Sequence, residues 1–145
     1  MIRTFDWSHF FFGFDGRMGR EDFWCGSLAL FAALTAVILL TSFLPAMAQD
    51  FVAGVAYTAS IYPAAALMGK RLQDRGKGLG YLYLFLGLPV VFSIFNLFGP
   101  APSNPITVLL SALYLLVMLW ALIELCFLRG TSGENDFGVE PDVAG

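Results

Sequence analysis

The sequence predicts an all-α membrane protein, a bundle of four transmembrane helices with a charged cytoplasmic cap. Of its 145 residues, 58% are hydrophobic and only 13% are charged, whereas soluble domains are nearer half apolar and a quarter charged. Four segments contain the roughly 20 mostly apolar residues that a helix needs to cross a bilayer. These segments fill most of the chain and leave no room for a separate soluble domain.

The predicted transmembrane helices cover residues 22–44, 51–69, 79–99 and 105–128. We assign residues 1–138 to a single integral membrane domain and residues 139–145 to a flexible acidic tail. The first twenty residues mix aromatic side chains with charges, which is typical of a segment that lies in the membrane interface.

Two features inside the apolar segments predict, respectively, close helix packing and a role for a buried acid. Ala56, Ser60 and Ala64 repeat every four positions in the second helix, a spacing that lets a neighbouring helix approach closely. Glu124 is ionisable and lies within the fourth segment, which makes it a candidate functional residue. It precedes Arg129 by only five positions, roughly 7–8 Å along a helix. We therefore favour a Glu124 that pairs with a base near the inner membrane face.

The basic residues set the orientation, because Lys and Arg in short loops stay on the cytoplasmic side. All eight lie before the first helix, between the second and third, or just after the fourth. The two remaining loops contain none. Both termini are therefore predicted to be cytoplasmic.

The segment "KRLQDRGKG" (70–78) concentrates charge between two apolar helices. The second helix should continue past Gly69, because cations are favoured at a helix C-terminus. Gly76 suits the left-handed position that ends a helix, and the spacing of Lys70 and Asp74 allows them to pair.

Charged residues 15–22, 70–78 and 129–136 reach the same membrane face and should meet in space. The candidate residues are Arg17, Arg20, Asp22, Lys70, Arg71, Asp74, Arg75, Lys77, Glu124 and Asn135. They form either a closed ion-pair network that locks the bundle or a site for anionic lipid headgroups or phosphate. A ligand site leaves some arginines unpaired and facing a groove, whereas a structural network pairs them all. Residues 131–138 are expected to fold back onto this face, with Phe137 as an anchor.

Three segments resemble, in order, the three motifs of domain-of-unknown-function family 805, which are small bacterial inner-membrane proteins. They are "GFDGRMGREDFW" (13–24), "KRLQDRGKG" (70–78) and "RGTSGENDFG" (129–138). The resemblance covers nearly the whole chain and implies a location in the bacterial inner membrane. Gln73 stands where the family often has histidine, which argues against a histidine acid or base, and Asp136 stands where a base is usual.

The sequence around the first charged segment argues against an enzyme. Asp15, Gly16 and Arg20 are similar to the opening of the phosphatidyl-alcohol transferase signature, which needs further aspartates to hold divalent metals. The corresponding positions are Ala29, Ala33 and Val37. We therefore expect no catalytic site, no metal and no cofactor.

An oligomeric transporter or channel for small solutes or ions is the alternative, because it needs polar side chains at mid-membrane depth. Tyr57, Thr58, Ser60 and Tyr62 are the candidates, and they serve equally as contacts between helices. The expected partners are membrane lipids, anionic ones included, and a second copy of the chain or another membrane protein. No nucleic-acid partner is expected.

Overall fold

The computed structural model describes residues 6–98 and 104–141, and most of these residues are helical. The helix content is 76% and the described ranges contain no strand. One isolated β-bridge joins Asn135 to Gly138. The predicted all-α class is confirmed.

The helices, in chain order, are α1 Trp7–Phe12, α2 Arg20–Thr41, α3 Ala46–Asp74, α4 Gly80–Leu82, α5 Leu88–Phe98 and α6 Pro105–Leu122. A π-helical turn, Tyr83–Gly87, joins α4 to α5, and a second, Ile123–Phe127, follows α6. Helices α2, α3 and α6 with its π turn are long and apolar enough to cross a bilayer. The span predicted at 79–99 corresponds to the helical run from Gly80 to Phe98 formed by α4, the first π turn and α5, of which Gly80–Phe92 is a shorter apolar stretch; residue 99 lies outside the described ranges. Three to four helices therefore fit a membrane crossing.

Helix α3 is longer than the predicted 51–69 at both ends. Its 29 residues extend about 43 Å at 1.5 Å per residue, more than the roughly 30 Å of a bilayer's hydrocarbon core. The helix continues past Gly69 and ends at Asp74, and Gly76 has a φ of 68°. The structure confirms that this helix continues past Gly69 and ends with Gly76 in the left-handed conformation.

The first π turn has a reason in the sequence. It directly precedes α5, where Pro89 is the second residue. Proline has no N–H to donate to the preceding turn and its ring crowds the carbonyl four residues earlier. A widened turn just before the proline relieves that crowding and keeps the helix continuous.

Buried side chains concentrate at one end of the bundle, where the loops 13–19 and 75–79 and the segment 128–141 meet; we call it the charged end. The apolar core there consists of Met18, Phe23, Leu67, Leu72, Phe85, Ala121 and Leu125. Large apolar side chains elsewhere face outward, as shown by Phe31 at 69% and Leu109 at 70% exposure. Such a surface suits hydrocarbon, because soluble monomers rarely expose contiguous apolar patches of this kind.

The close approach of α2 and α3 occurs at Gly26. A Cβ on Gly26 would lie 2.9 Å from Leu67 Cδ2, so a larger residue there would require the Leu67 side chain to shift. Ser60 and Ala64, predicted to allow close packing, line a groove between the same two helices together with Phe23 and Leu67. Close packing at the small residues stays a prediction.

Helix α1 packs against α3 and is capped by Asp6. The Ser8 hydroxyl, 2.6 Å from the Asp6 carboxylate, and the N–H of His9 hold the pKa of that carboxyl below its ordinary value. The cap is therefore complete at neutral pH and is lost as the pH falls through the lowered pKa.

We expect the protection of the Ser8 and His9 amides, measured relative to their intrinsic exchange rates at each pH, to fall in acid, because protonated Asp6 accepts hydrogen bonds less well. Asp6→Asn is the control, since asparagine also caps helices but does not titrate. These protection factors are expected to depend on pH in the wild type alone. An equal fall in the asparagine variant would show that the cap is not the cause.

Candidate functional site

The end of α3 turns the chain sharply at the charged end. The N–H of Gly76 donates to the carbonyl of Gln73 (2.9 Å), and the N–H of Lys77 donates to that of Leu72 (2.8 Å). This bond pair, with glycine in the left-handed region, is a Schellman motif. It directs Lys77 back towards the end of α6.

A buried three-residue ion-pair group, which we call the Asp74 group, lies under this turn. One carboxylate oxygen of Asp74 is 3.0 Å from the Arg17 guanidinium, and the other accepts from Arg71. The three side chains are 4%, 1% and 0% exposed. Arg71 also donates to the carbonyls of Leu125 (2.8 Å) and Leu128. It thereby joins α3 to the end of α6.

Arg17 fastens the segment after α6 to the same group. Its guanidinium donates to the backbone carbonyls of Thr131, Gly133 and Gly138. The side-chain amide of Asn135 donates to the carbonyl of Gln73 (3.0 Å) and to the Thr131 hydroxyl.

The predicted folding back of 131–138 is confirmed in this part of the chain, with Phe137 partly buried. The predicted acidic tail is described only to residue 141, and its residues 142–145 lie outside the described ranges.

A second pair group, the Glu124 group, lies beside the first. The Glu124 carboxylate is 4% exposed and lies 3.0 Å from both Arg75 and Lys77. The Lys77 ammonium also lies over the rings of Tyr81 (4.9 Å) and Trp120 (5.4 Å). Glu124 pairs with bases at this end, as favoured from the sequence, but its partners come from the turn after α3.

Lys70 takes part in neither group. Its ammonium donates to the carbonyls of His9 (2.8 Å) and Phe10 at the end of α1. The predicted Lys70–Asp74 pair was wrong, because both oxygens of Asp74 are taken by arginines. Lys70 instead neutralises the negative end of a second helix.

A polar cleft of about 560 Å³ opens next to the Asp74 group. Its lining residues are Arg17, Gly19, Arg20, Glu21, Asp22, Arg71, Asp74, Arg129, Gly130, Thr131, Ser132, Glu140 and Pro141. Arg20 and Arg129 are exposed there, and neither forms an ion pair within the described residues. Arg20 makes one long hydrogen bond, to the carbonyl of Phe127 (3.3 Å).

The structure thus separates the predicted site residues into two sets. Eight of them form or border the buried network: Arg17, Lys70, Arg71, Asp74, Arg75, Lys77, Glu124 and Asn135. Arg20 and Asp22 line the open cleft instead. Arg129 was missed as a site residue, because a base after α6 was fully explained as a helix C-terminal cation.

Other polar groups have local partners. The Thr58 and Ser60 hydroxyls, considered for a transport path, donate to carbonyls of their own helix at Gly54 (2.8 Å) and Tyr57 (2.7 Å). Within residues 6–98 and 104–141, no three His, Cys, Asp or Glu side chains come together as a metal-binding group.

Long apolar helices joined at one end by buried ion pairs fit an α-helical membrane protein. Residues 11–139 match the family described as "Protein of unknown function (DUF805)", and the chain belongs to that family. Two relatives, both "Uncharacterized protein YiiR", come from Escherichia coli strain K12 and Escherichia coli O157:H7. Each is 28% identical over 127 residues, which cover 88% of this chain and 84% of the relative. No solved structure matches the chain.

Proposed function

We propose that this is a non-enzymatic protein of the bacterial inner membrane that binds a phosphate-bearing headgroup in the polar cleft. Both termini and the charged end lie in the cytoplasm, as supported by the absence of Lys and Arg from the loops at the other end. In this orientation the cleft lies at the level of the lipid headgroups of the inner leaflet.

One observation carries the proposal: Arg20 and Arg129 face the cleft unpaired. The other basic side chains of the described charged end pair with carboxylates or, as Lys70 does, are buried against backbone carbonyls, whereas Arg20 and Arg129 are exposed. A closed ion-pair network would pair all of its arginines, and these two stay outside it. The planar guanidinium fork binds phosphate through two parallel hydrogen bonds, which is the chemistry this rim offers.

The floor of the cleft adds positive potential. Arg17 and Arg71 share the single carboxylate of Asp74, so the Asp74 group retains one excess positive charge. Buried charges are screened less by salt than exposed ones. The N-terminus of α2 also borders the cleft; its cap, Gly19, supplies no side-chain acceptor, and its first turn carries the carboxylates of Glu21 and Asp22.

The test measures phospholipid retained by the purified protein in native mass spectrometry, after reconstitution in nanodiscs of equal phosphatidylethanolamine and phosphatidylglycerol. We expect Arg20→Gln combined with Arg129→Gln to lower occupancy about 30-fold, since each base near a headgroup contributes roughly 1 kcal/mol. Both side chains are exposed, so the unfolding midpoint should change little.

The control is Lys77→Gln, which removes a base from the same end, lines no part of the cleft and leaves Glu124 paired with Arg75. It is expected to retain lipid. Equal retention by the wild type and the cleft variant, or equal loss in both variants, contradicts the proposal.

A further inference from the structure

An apolar groove of about 240 Å³ runs between α2 and α3 on the lipid-facing side of the bundle. Its lining residues are Phe23, Ser27, Leu30, Phe31, Leu34, Ser60, Ala64, Leu67 and Met68. The Ser60 hydroxyl is satisfied within its own helix by the carbonyl of Tyr57. The small side chains of Ser60 and Ala64 leave space where a larger residue would contact α2.

The groove lies directly below the cleft on the same face of α2. Arg20 of the cleft precedes Phe23, Ser27 and Leu34 by three, seven and fourteen positions, a spacing that keeps residues on one helical face. From Phe23 to Leu34 the groove extends about 16 Å at 1.5 Å per residue. One leaflet contributes about 15 Å of hydrocarbon. The groove is therefore about as long as the hydrocarbon layer that one acyl chain crosses.

The cleft also carries unpaired negative charge. Glu21 and Asp22 line it beside Arg20 and Arg129, and neither carboxylate forms an ion pair with any described residue. Each residue is exposed. A ligand with phosphate alone would leave these two carboxylates next to its charge, whereas a headgroup with both phosphate and ammonium complements both signs.

We propose that cleft and groove together bind one aminophospholipid. Arg20 and Arg129 hold its phosphate, Glu21 and Asp22 face its ammonium group, and an acyl chain occupies the groove. This inference rests on the proposed phosphate site and adds the class of ligand to it. It commits to a lipid because a free phosphate compound has no use for an apolar groove on the same helical face as its site.

The first experiment tests the amine. In the same mixed nanodiscs, the wild type is expected to retain phosphatidylethanolamine in preference to phosphatidylglycerol. Glu21→Gln combined with Asp22→Asn should lower that preference up to about fivefold, the range of an exposed ion pair, without loss of total phospholipid. Glu134→Gln combined with Asp136→Asn is the matched control, since both residues are exposed and lie outside the cleft.

The second experiment tests the acyl chain. Ala64→Leu fills the groove and is expected to lower phospholipid occupancy about tenfold. It should leave binding of the soluble headgroup glycerophosphoethanolamine unchanged. Ala32→Leu adds the same volume on the opposite, exposed face of α2 and is expected to have no effect. Size-exclusion chromatography with light scattering reports whether either variant alters the assembly's mass.

The outcomes separate this inference from the phosphate site. Preference for phosphatidylglycerol in the wild type overturns the amine assignment. The lipid assignment is overturned if glycerophosphoethanolamine binds as tightly as the lipid and Ala64→Leu leaves phospholipid occupancy unchanged. The phosphate site would then still stand. If Ala64→Leu changes the mass of the assembly and Ala32→Leu does not, the groove is an interface between copies of the chain. Its role in binding an acyl chain is then overturned. If the wild type and the Arg20→Gln, Arg129→Gln variant retain equal amounts of phospholipid, both the phosphate site and this inference are overturned.

Discussion

Replacing Asp74 by asparagine is expected to cause one of the two largest losses of stability in the protein. The substitution preserves the shape of the side chain but leaves the guanidinium groups of Arg17 and Arg71 without an anion. These side chains are 1% and 0% exposed, so water replaces the carboxylate poorly. Removing one partner of a buried ion pair costs about 3–5 kcal/mol. We expect a loss in that range, measured as denaturant or thermal unfolding in detergent.

Glu124→Gln is the matched comparison, because Glu124 also pairs with two bases and is equally buried. Its partners, Arg75 and Lys77, are 23% and 25% exposed and can turn towards water. We expect a loss of about 1 kcal/mol, in the range of partly solvated pairs. If Asp74→Asn is no more harmful than Glu124→Gln, the backbone carbonyls around Arg71 compensate its charge without help from Asp74.

A double-mutant cycle locates the cause. Arg17→Gln added to Asp74→Asn should cost much less than the two single changes combined, since it removes one of the stranded charges. Additive losses would mean that Arg17 acts mainly through the carbonyls of residues 131–138.

Local rules of sequence predicted the helical architecture well. Apolar length, basic loops and the glycine after α3 each act within one element, and the structure bears out the all-α class and the end of α3. The meeting of three charged segments was also predictable, because antiparallel helices with short loops bring alternate loops to one end. The third predicted span corresponds to the helical run from Gly80 to Phe98, and apolar length alone did not indicate the π turn inside it.

Pairing within the charged end was not predictable from spacing. The four-residue spacing favoured Lys70–Asp74, yet Asp74 binds Arg17 from 57 positions away, and Lys70 binds α1 instead. Nearness in sequence suggested Arg129 for Glu124, yet the side chain of Arg129 lines the cleft. Spacing along a helix identifies compatible neighbours, whereas the choice among them depends on which loop packs against that helix.

Gly130→Ala is expected to produce the other large loss, although alanine is the smallest possible change. A Cβ at Gly130 would lie 2.6 Å from Oδ1 of Asp74 and closer still to Oδ2. Asp74 has no room to withdraw, because both oxygens are held by arginines and its carbonyl accepts from Thr131 (2.8 Å). We expect a loss of about 3 kcal/mol, from overpacking and a weakened buried pair.

Unfolding and limited proteolysis of residues 131–141 measure this effect. Gly78→Ala is the control, since nothing lies within 4 Å of where its Cβ would be, and it should change neither readout. The decisive background is Asp74→Ala, which removes the carboxylate that a Cβ at position 130 would meet. In that background Gly130→Ala should cost almost nothing further. An undiminished cost there would mean that position 130 requires glycine for its backbone, and that the carboxylate of Asp74 does not set the limit.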